Sequence, residues 1–255
     1  MYSILWILWL LYLGLFLYSL KYKNNSIVDV FWGVVPAFIA LWSYIFESYF
    51  TLSQTLVTLL VLAWGVRLFL NIFAKKIWNF HKEDHRYAAW REQWTWVKTR
   101  SFFQVFLFQL ILACLVATPI WVVNFAWLYD ENIFVTFLWA SIALFGLMYE
   151  DRADGELAGF IKNKKDGDIL TSGLRSFHRY PQYFGEATFW FGISLIAAQV
   201  SLWSFLGFAI IFILVRYVSG VPMLEKHYEG QKNFERYAKK TPIFFPDYSR
   251  IFTKK

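Results

Sequence analysis

Seven apolar runs alternate with polar segments along the chain, at residues 3–20, 27–46, 52–73, 102–123, 133–149, 183–199 and 202–218. A helix needs roughly 20 apolar residues to cross a bilayer, and these runs are close to that length. The pattern predicts an all-α polytopic membrane protein with seven transmembrane helices, forming one domain over residues 1–255. The second run is the least regular, because Asp29 lies near its start and Pro36 inside it. No basic segment precedes the first run and no small-residue cleavage site follows it, so it is expected to remain as an anchor. The polar segments near Glu47, Asp130 and Val200 are short, which implies hairpin neighbours. Those at 81–100, 155–178 and 225–255 are long enough to fold together.

Charge then orients the pattern. Of the 25 Lys and Arg residues, all but Arg67 and Arg216 fall on alternate loops, which follow the first, third, fifth and seventh runs. By the positive-inside rule the N-terminus lies outside and the C-terminus in the cytoplasm, a result that itself requires an odd number of spans. The net charge of +7 is therefore accounted for by basic cytoplasmic loops, and no nucleic-acid-binding fingerprint accompanies it. Composition agrees: hydrophobic residues make up 58% and charged residues 17%, outside the soluble norm. Tryptophan and tyrosine, including Trp6, Trp9, Trp42, Tyr44, Trp121, Trp127, Trp139 and Trp203, suit interfacial belts.

Several classes of chemistry are excluded. Cys114, the one cysteine, lies inside an apolar run, so neither a disulfide framework nor a four-thiolate metal site is available. His81 and His85 have the i, i+4 spacing of metal ligands, but four histidines in all are too few for a two-iron set, and no metal is expected. Neither a Gly-x-Ser-x-Gly elbow, a Gly-x-Gly-x-x-Gly turn nor a P-loop occurs. What remains is concentrated in two places. Ionisable groups inside apolar runs are costly and tend to be functional, which singles out Arg67, followed one turn later by Asn71, together with Asp29 and Arg216. The other place is the polar stretch 150–186, dense in donors and acceptors. With the neighbouring loops it assembles Arg86, Tyr87, Arg91, Lys162, Lys164, Lys165, Arg175, Arg179, Tyr180, Lys239 and Lys240, a basic and aromatic set suited to a multiply phosphorylated ligand. Contact with anionic membrane lipids would use the same charges.

Four stretches carry a resemblance: SIVDVFWG at 26–33, EDHRYAAWREQW at 83–94, GLRSFHRYPQYFGE at 173–186, and SGVPMLEKHYE through YAKKTPIFFP at 219–246. They resemble the steroid 5α-reductase superfamily, and most closely its bacterial-type branch sharing the 3-oxo-5-alpha-steroid 4-dehydrogenase C-terminal domain. The resemblance implies a seven-span fold, a cofactor-binding part at about 102–255, and NADPH as hydride donor. The activity it implies is that of an oxidoreductase acting on CH–CH groups, reducing a double bond conjugated to a ketone. Asp154 and Arg86 match cofactor-contacting positions. Arg179 and Tyr183 match the family's Arg-His-Pro-Asn-Tyr motif, in which Tyr180 replaces the His and Gln182 the Asn on the nicotinamide side. Arg216 matches an Arg of the last span, and Asp29 stands where a Glu helps to hold the substrate carbonyl. The family tyrosine that donates to that carbonyl is not evident in the third run, where Arg67 and Asn71 stand instead.

The expected activity is thus NADPH-dependent reduction of a hydrophobic enone, steroid-like or lipid, that enters from the bilayer. Asp29, Arg67 and Asn71 are expected at the reacting carbonyl. Arg86, Asp154, Lys164, Lys165, Arg175, Arg179, Tyr180, Gln182, Tyr183, Arg216 and Lys240 are expected around the cofactor. The protein would sit in a bacterial inner membrane or the endoplasmic reticulum, its cofactor site facing the cytoplasm. Two rivals stand beside this. One is an isoprenylcysteine-type methyltransferase using S-adenosylmethionine, which shares a similar Arg-x-Pro-x-Tyr-x-Gly region. The other is a non-catalytic lipid-binding protein.

Overall fold

The computed structural model describes residues 2–77, 82–127, 129–165 and 167–251. His81, Lys254 and Lys255, which entered the reasoning on metal and charge, lie outside the described residues. All regular structure among the described residues is helical. Among the described residues five helices are long and apolar enough to cross a membrane: Tyr2–Tyr22, Leu52–Ala74, Val97–Val116, Ile133–Asn163 and Leu202–His227. The protein is an integral membrane protein.

The other two expected spans are helical but shorter. The run at 27–46 divides into α2 (Ile27–Val30) and α3 (Val34–Glu47), after α1 (Tyr2–Tyr22). Pro36 explains the division: it sits in the first turn of α3, where its missing N–H has no helical partner to lose. The run at 183–199 forms a helix of 17 residues, Pro181–Ala197. At 1.5 Å per residue α3 extends about 21 Å and the latter about 26 Å, against a hydrocarbon core of about 30 Å.

By its contacts the chain divides into two compact units, residues 1–136 with 196–207, and residues 137–195 with 208–255. In the first unit α3 packs against α4 (Leu52–Ile77) through two glycines. A Cβ on Gly33 would stand 2.7 Å from the Gly65 carbonyl oxygen, so the backbones nearly touch. The N-terminus of α4 is capped by Glu131, whose carboxylate accepts from the Leu52 and Ser53 amides at 3.0 and 2.9 Å. The short α5 (His85–Gln93) follows, then α6 (Val97–Val116), which carries a π-helical stretch at Ser101–Leu107, and α7 (Thr118–Asn124). Helix α1 contributes a single buried stripe, Ile4, Leu8, Tyr12, Leu15 and Ser19.

The second unit is built on α8 (Ile133–Asn163) from residue 137 onward and on α9 (Pro181–Ala197) up to residue 195. These pack backbone to backbone: a Cβ on Gly185 would lie 2.6 Å from the Glu150 amide, and one on Gly146 or Gly192 would strike Phe189 or Ala143. Helix α8 does not stop at residue 149 but runs on through the charged residues to Asn163. From residue 208 helix α10 (Phe205–Ile213) belongs to this unit and continues into π-helical turns at Leu214–Val218, and α11 (Val221–His227) and α12 (Lys232–Lys240) complete it.

Candidate functional site

In the first unit, stretches 26–33 and 83–94 are joined by side chains. Asp84 caps α5 by accepting from the Arg86 amide at 3.0 Å, and takes the Arg86 Nε at 2.9 Å. Arg86 Nη2 reaches across to Asp29 Oδ2 at 3.3 Å, while the Tyr87 hydroxyl donates to Asp29 Oδ1 at 2.6 Å. Gln109, on α6, donates from Nε2 to the Tyr87 oxygen at 2.9 Å and accepts from Trp32 Nε1 at 3.1 Å. An indole nitrogen can only donate, so Trp32 fixes which way the Gln109 amide faces. Gln109 in turn leaves Tyr87 one direction for its proton, toward Asp29. Beside this network Glu83 receives both Arg91 Nε and Nη2, at 3.0 and 2.9 Å, and accepts from the Asn25 amide at 2.7 Å.

Electrostatics follow the geometry. Partial burial works to raise the Asp84 carboxyl, but the Arg86 hydrogen bonds and charge outweigh it and hold it below the usual carboxylate range. Burial works against the charge on Arg86, and the bond to Asp84 with the Asp29 charge reverses that, leaving its affinity for the proton raised. Burial, then the Asp29 charge, push the Tyr87 phenol well above its ordinary value, so it is a hydrogen-bond donor at neutral pH. Arg67 and Asn71 are half-buried on α4. The segments carrying Asp29 and Arg67 lie side by side, since Gly33 meets Gly65 and the rings of Phe31 and Phe69 are 6.5 Å apart.

The second unit holds the other expected residues. Arg175, 7% exposed, donates from Nη2 to Gln182 Oε1 at 3.0 Å and from Nη1 to the Ala153 carbonyl at 3.4 Å. Burial lowers its guanidinium, opposed by Tyr237, Asp154 and Glu156 nearby, which places Asp154 within electrostatic reach. Arg179, 9% exposed, donates to Glu225 Oε2 at 2.8 Å, and Tyr180 donates to Glu225 Oε1 at 2.6 Å. The Tyr183 ring lies 6.0 Å from that of Tyr180. Arg216 lies over the Tyr217 ring at 4.8 Å, and Lys164, Lys165 and Lys240 are exposed. Gly173 has φ +62°, and a side chain there would strike the Glu156 carboxylate, which accepts from the Leu174 amide at 2.9 Å.

Of the residues expected at the carbonyl, Asp29, Arg67 and Asn71 fall in one unit, and Arg86 joins them there, bound to Asp29. Gln182 is brought to Arg175, and Arg179 and Tyr180 meet on one carboxylate. Four participants escaped the sequence reasoning in these roles: Gln109, Glu225, and the pair Tyr149 and His178, bonded at 2.8 Å. Glu225 lies inside a quoted stretch, and Gln109 is a polar residue in an apolar run, so both had a local signal. The pairing of Tyr149 with His178 had none.

The second unit also presents donors, with the Arg179 guanidinium already bound to Glu225 at 2.8 Å. The Arg179 Nε is buried with no acceptor among the described residues, and three lysines are open to solvent. Gln182, with its oxygen committed to Arg175, keeps its amide N–H groups for a ligand. No group of three metal-ligating side chains occurs among the described residues.

The fold and the two clusters define an all-helical integral membrane protein with paired ionisable groups set among apolar helices. The chain belongs to the family described as a protein of unknown function, DUF1295, whose model matches residues 15–241. No curated protein and no solved structure matches the chain.

Proposed function

We propose that the protein is a membrane reductase that saturates a carbon–carbon double bond conjugated to a ketone in a hydrophobic substrate, with NADPH as cofactor. The observation that carries this reading is the Asp29 carboxylate, held between Tyr87 at 2.6 Å and Arg86 at 3.3 Å beside apolar helices. Groups of this kind are expensive there and are retained for function. The matched family is associated with steroid 5-alpha-reductase-like membrane proteins, which supports the same reading.

In this scheme negative charge gathers on the ketone oxygen as the double bond is reduced, and fixed positive charge or a preorganised donor must meet it. Arg67 supplies the charge and Asn71 a neutral donor. Asp29 orients the cations, and Tyr87, whose proton is committed to Asp29, holds that carboxylate in place. When bound, NADPH would supply the hydride to the β-carbon, and a proton from solvent would complete the α-carbon. Lys164, Lys165 and Lys240 would hold its phosphates, with Arg179 offering only the N–H groups that Glu225 does not take, and Arg175 with Asp154 would orient Gln182 toward it, with Tyr180, Tyr183 and Arg216 completing the cofactor set. The basic loops orient the protein with its N-terminus outside and the cofactor residues in the cytoplasm.

Calorimetry on purified protein tests the cofactor, and single-turnover oxidation of NADPH by a Δ4-3-ketosteroid tests the chemistry. NADPH should bind more tightly than NADH, and Lys164→Gln with Lys165→Gln should narrow the difference. Asp29→Asn should slow turnover by about 10²-fold, as for loss of one oxyanion-stabilising contact, with NADPH affinity kept. Binding of S-adenosylmethionine in place of either nucleotide would transfer the protein to the methyltransferases.

A further inference from the structure

The polar segment between α4 and α6 carries Trp90, Trp94 and Trp96, none of which takes part in the hydrogen bonds around Asp29. Trp90 and Trp94 follow one another along α5 with their rings stacked, the centroids 5.7 Å apart and the planes at 16°. Trp96 stands directly before α6. Trp90 is 40% exposed and Trp96 71%, among neighbours that are mostly charged or polar. Their indole N–H groups have no acceptor among the described residues, whereas those of Trp32 and Trp121 each have one. Grouped exposed aromatic rings mark a surface that something covers. An indole, apolar over its faces and a donor at its edge, fits the layer where hydrocarbon meets headgroups.

The chain itself brings this segment to such a layer. The apolar helix α6 begins at Val97, so Trp96 stands where a membrane-crossing helix starts. Trp96, Arg100 and Phe103 follow one another at four and three residues, and all are exposed, Phe103 to 55%. Helical side chains lean toward the N-terminus, so Arg100 reaches back toward the level of Trp96 while Phe103 faces hydrocarbon. Lys98 is exposed beside them. The two sides of α5 also differ. Tyr87, Trp90 and Trp94 form a stripe at i, i+3 and i+7 that runs from buried to exposed. The opposite side shows His85, Ala89 and Glu92, all exposed, which suits water.

We propose that α5 and the turn after it are an interfacial anchor, with Trp90, Trp94 and Trp96 lodged in the headgroup layer of the leaflet at the N-terminal end of α6. Lys98 and Arg100 pair there with anionic phospholipid headgroups. The chemistry selects this partner. The ring faces need hydrocarbon, the indole N–H groups need an acceptor such as a phosphodiester oxygen, and the two cations favour a headgroup of net negative charge over a zwitterionic one. Glu92, the acidic residue of α5, lies on the far side and does not oppose the contact. The anchor needs neither cofactor nor substrate and stands apart from the reductase reading. It bears on Asp29 through geometry: Arg86 and Tyr87 lie on the same helix, and the Tyr87 ring meets Trp90 edge-on at 5.4 Å. The depth of α5 in the bilayer therefore sets the depth at which Asp29 is held.

The test uses the full chain in lipid nanodiscs. Nitroxide labels are placed one at a time at Glu92→Cys, Trp96→Cys and Phe103→Cys in a Cys114→Ala background. Their collisions with oxygen, which partitions into hydrocarbon, and with a water-soluble nickel chelate are compared by electron paramagnetic resonance. Position 92 should report water, position 103 hydrocarbon, and position 96 a depth between them. Water at position 96 overturns the anchor and makes the tryptophans a docking face for a soluble partner; hydrocarbon there overturns it as well. The headgroup is read with spin-labelled phosphatidylglycerol and phosphatidylcholine in mixed discs. Wild type should prefer phosphatidylglycerol, and Lys98→Gln with Arg100→Gln should lower that preference by about 5-fold for each charge removed. Lys164→Gln with Lys165→Gln, which removes the same charge elsewhere, should lower it less. An unchanged preference in the first pair, or an equal loss in both, overturns the pairing with anionic headgroups.

Discussion

His178 is fully buried, with one ring nitrogen against the Phe244 carbonyl and the other against the Tyr149 hydroxyl. A carbonyl can only accept, so Nδ1 carries the proton, and Nε2 accepts from Tyr149. Burial keeps the ring neutral at pH 7. Burial pushes its pKa down to about 4, the Arg175 charge acts the same way, and the Phe244 carbonyl opposes them. The folded value lies below the unfolded one of about 6.5, so this contribution to stability is complete above pH 6.5 and is lost as pH falls toward 4. Thermal unfolding should register a loss of about 2 kcal/mol between pH 6.5 and 5. In His178→Asn, which keeps a donor for Phe244, that loss should vanish; an unchanged slope would assign the pH dependence elsewhere. At this scale the charged residues inside apolar runs, Asp29 and Arg67, were legible from their cost alone. Their partners were less so. Arg179 announces itself in the sequence as a phosphate ligand, but Glu225, 46 positions away, already holds it, and no local pattern connects the two.

Among the elements, α3 with α4 and α8 with α9 are fixed by glycines rather than by side-chain volume. A Cβ on Gly65 would come within 2.5 Å of the Gly33 oxygen and 2.7 Å of Ala37 Cβ, so α3 and α4 would have to part. Gly65→Val should destabilise by about 1–3 kcal/mol or more, as overpacking does. Gly14, on α1, is the control, because nothing lies within 4 Å of a Cβ placed there. Gly14→Ala should gain up to about 1 kcal/mol from helix propensity. Thermal unfolding in detergent decides both, and equal effects at the two sites would contradict the close packing. Apolar runs located these helices, but not their ends. The charges after residue 149 suggest a loop, whereas Ala153, Glu156, Leu157, Ala158 and Lys162 are good helix formers and carry α8 on to Asn163. Likewise Pro36 was visible as an irregularity, and its place in a first helical turn needed coordinates.

For the molecule as a whole, orientation is the property that the charge pattern predicts most directly. In a Cys114→Ala background, an impermeant thiol reagent should label Asn132→Cys on intact cells and spare Lys164→Cys, and the reverse would invert the protein. Membrane character and helical class were legible in composition and run length. The grouping of the chain into two units was not, because residues 196–207 return to the first unit after the chain has already built most of the second. Gly207 belongs to that returning segment, and a side chain on it would strike the Val116 carbonyl. This connectivity bears on synthesis. When the ribosome has finished residue 136, the first unit still lacks a piece that will not exist until about 70 residues later. At about 5–20 residues per second the wait is roughly 4 to 14 s. Throughout that interval the nascent helices leave the translocon with one docking face uncovered, exposed to lipid or to a membrane chaperone until the late segment arrives.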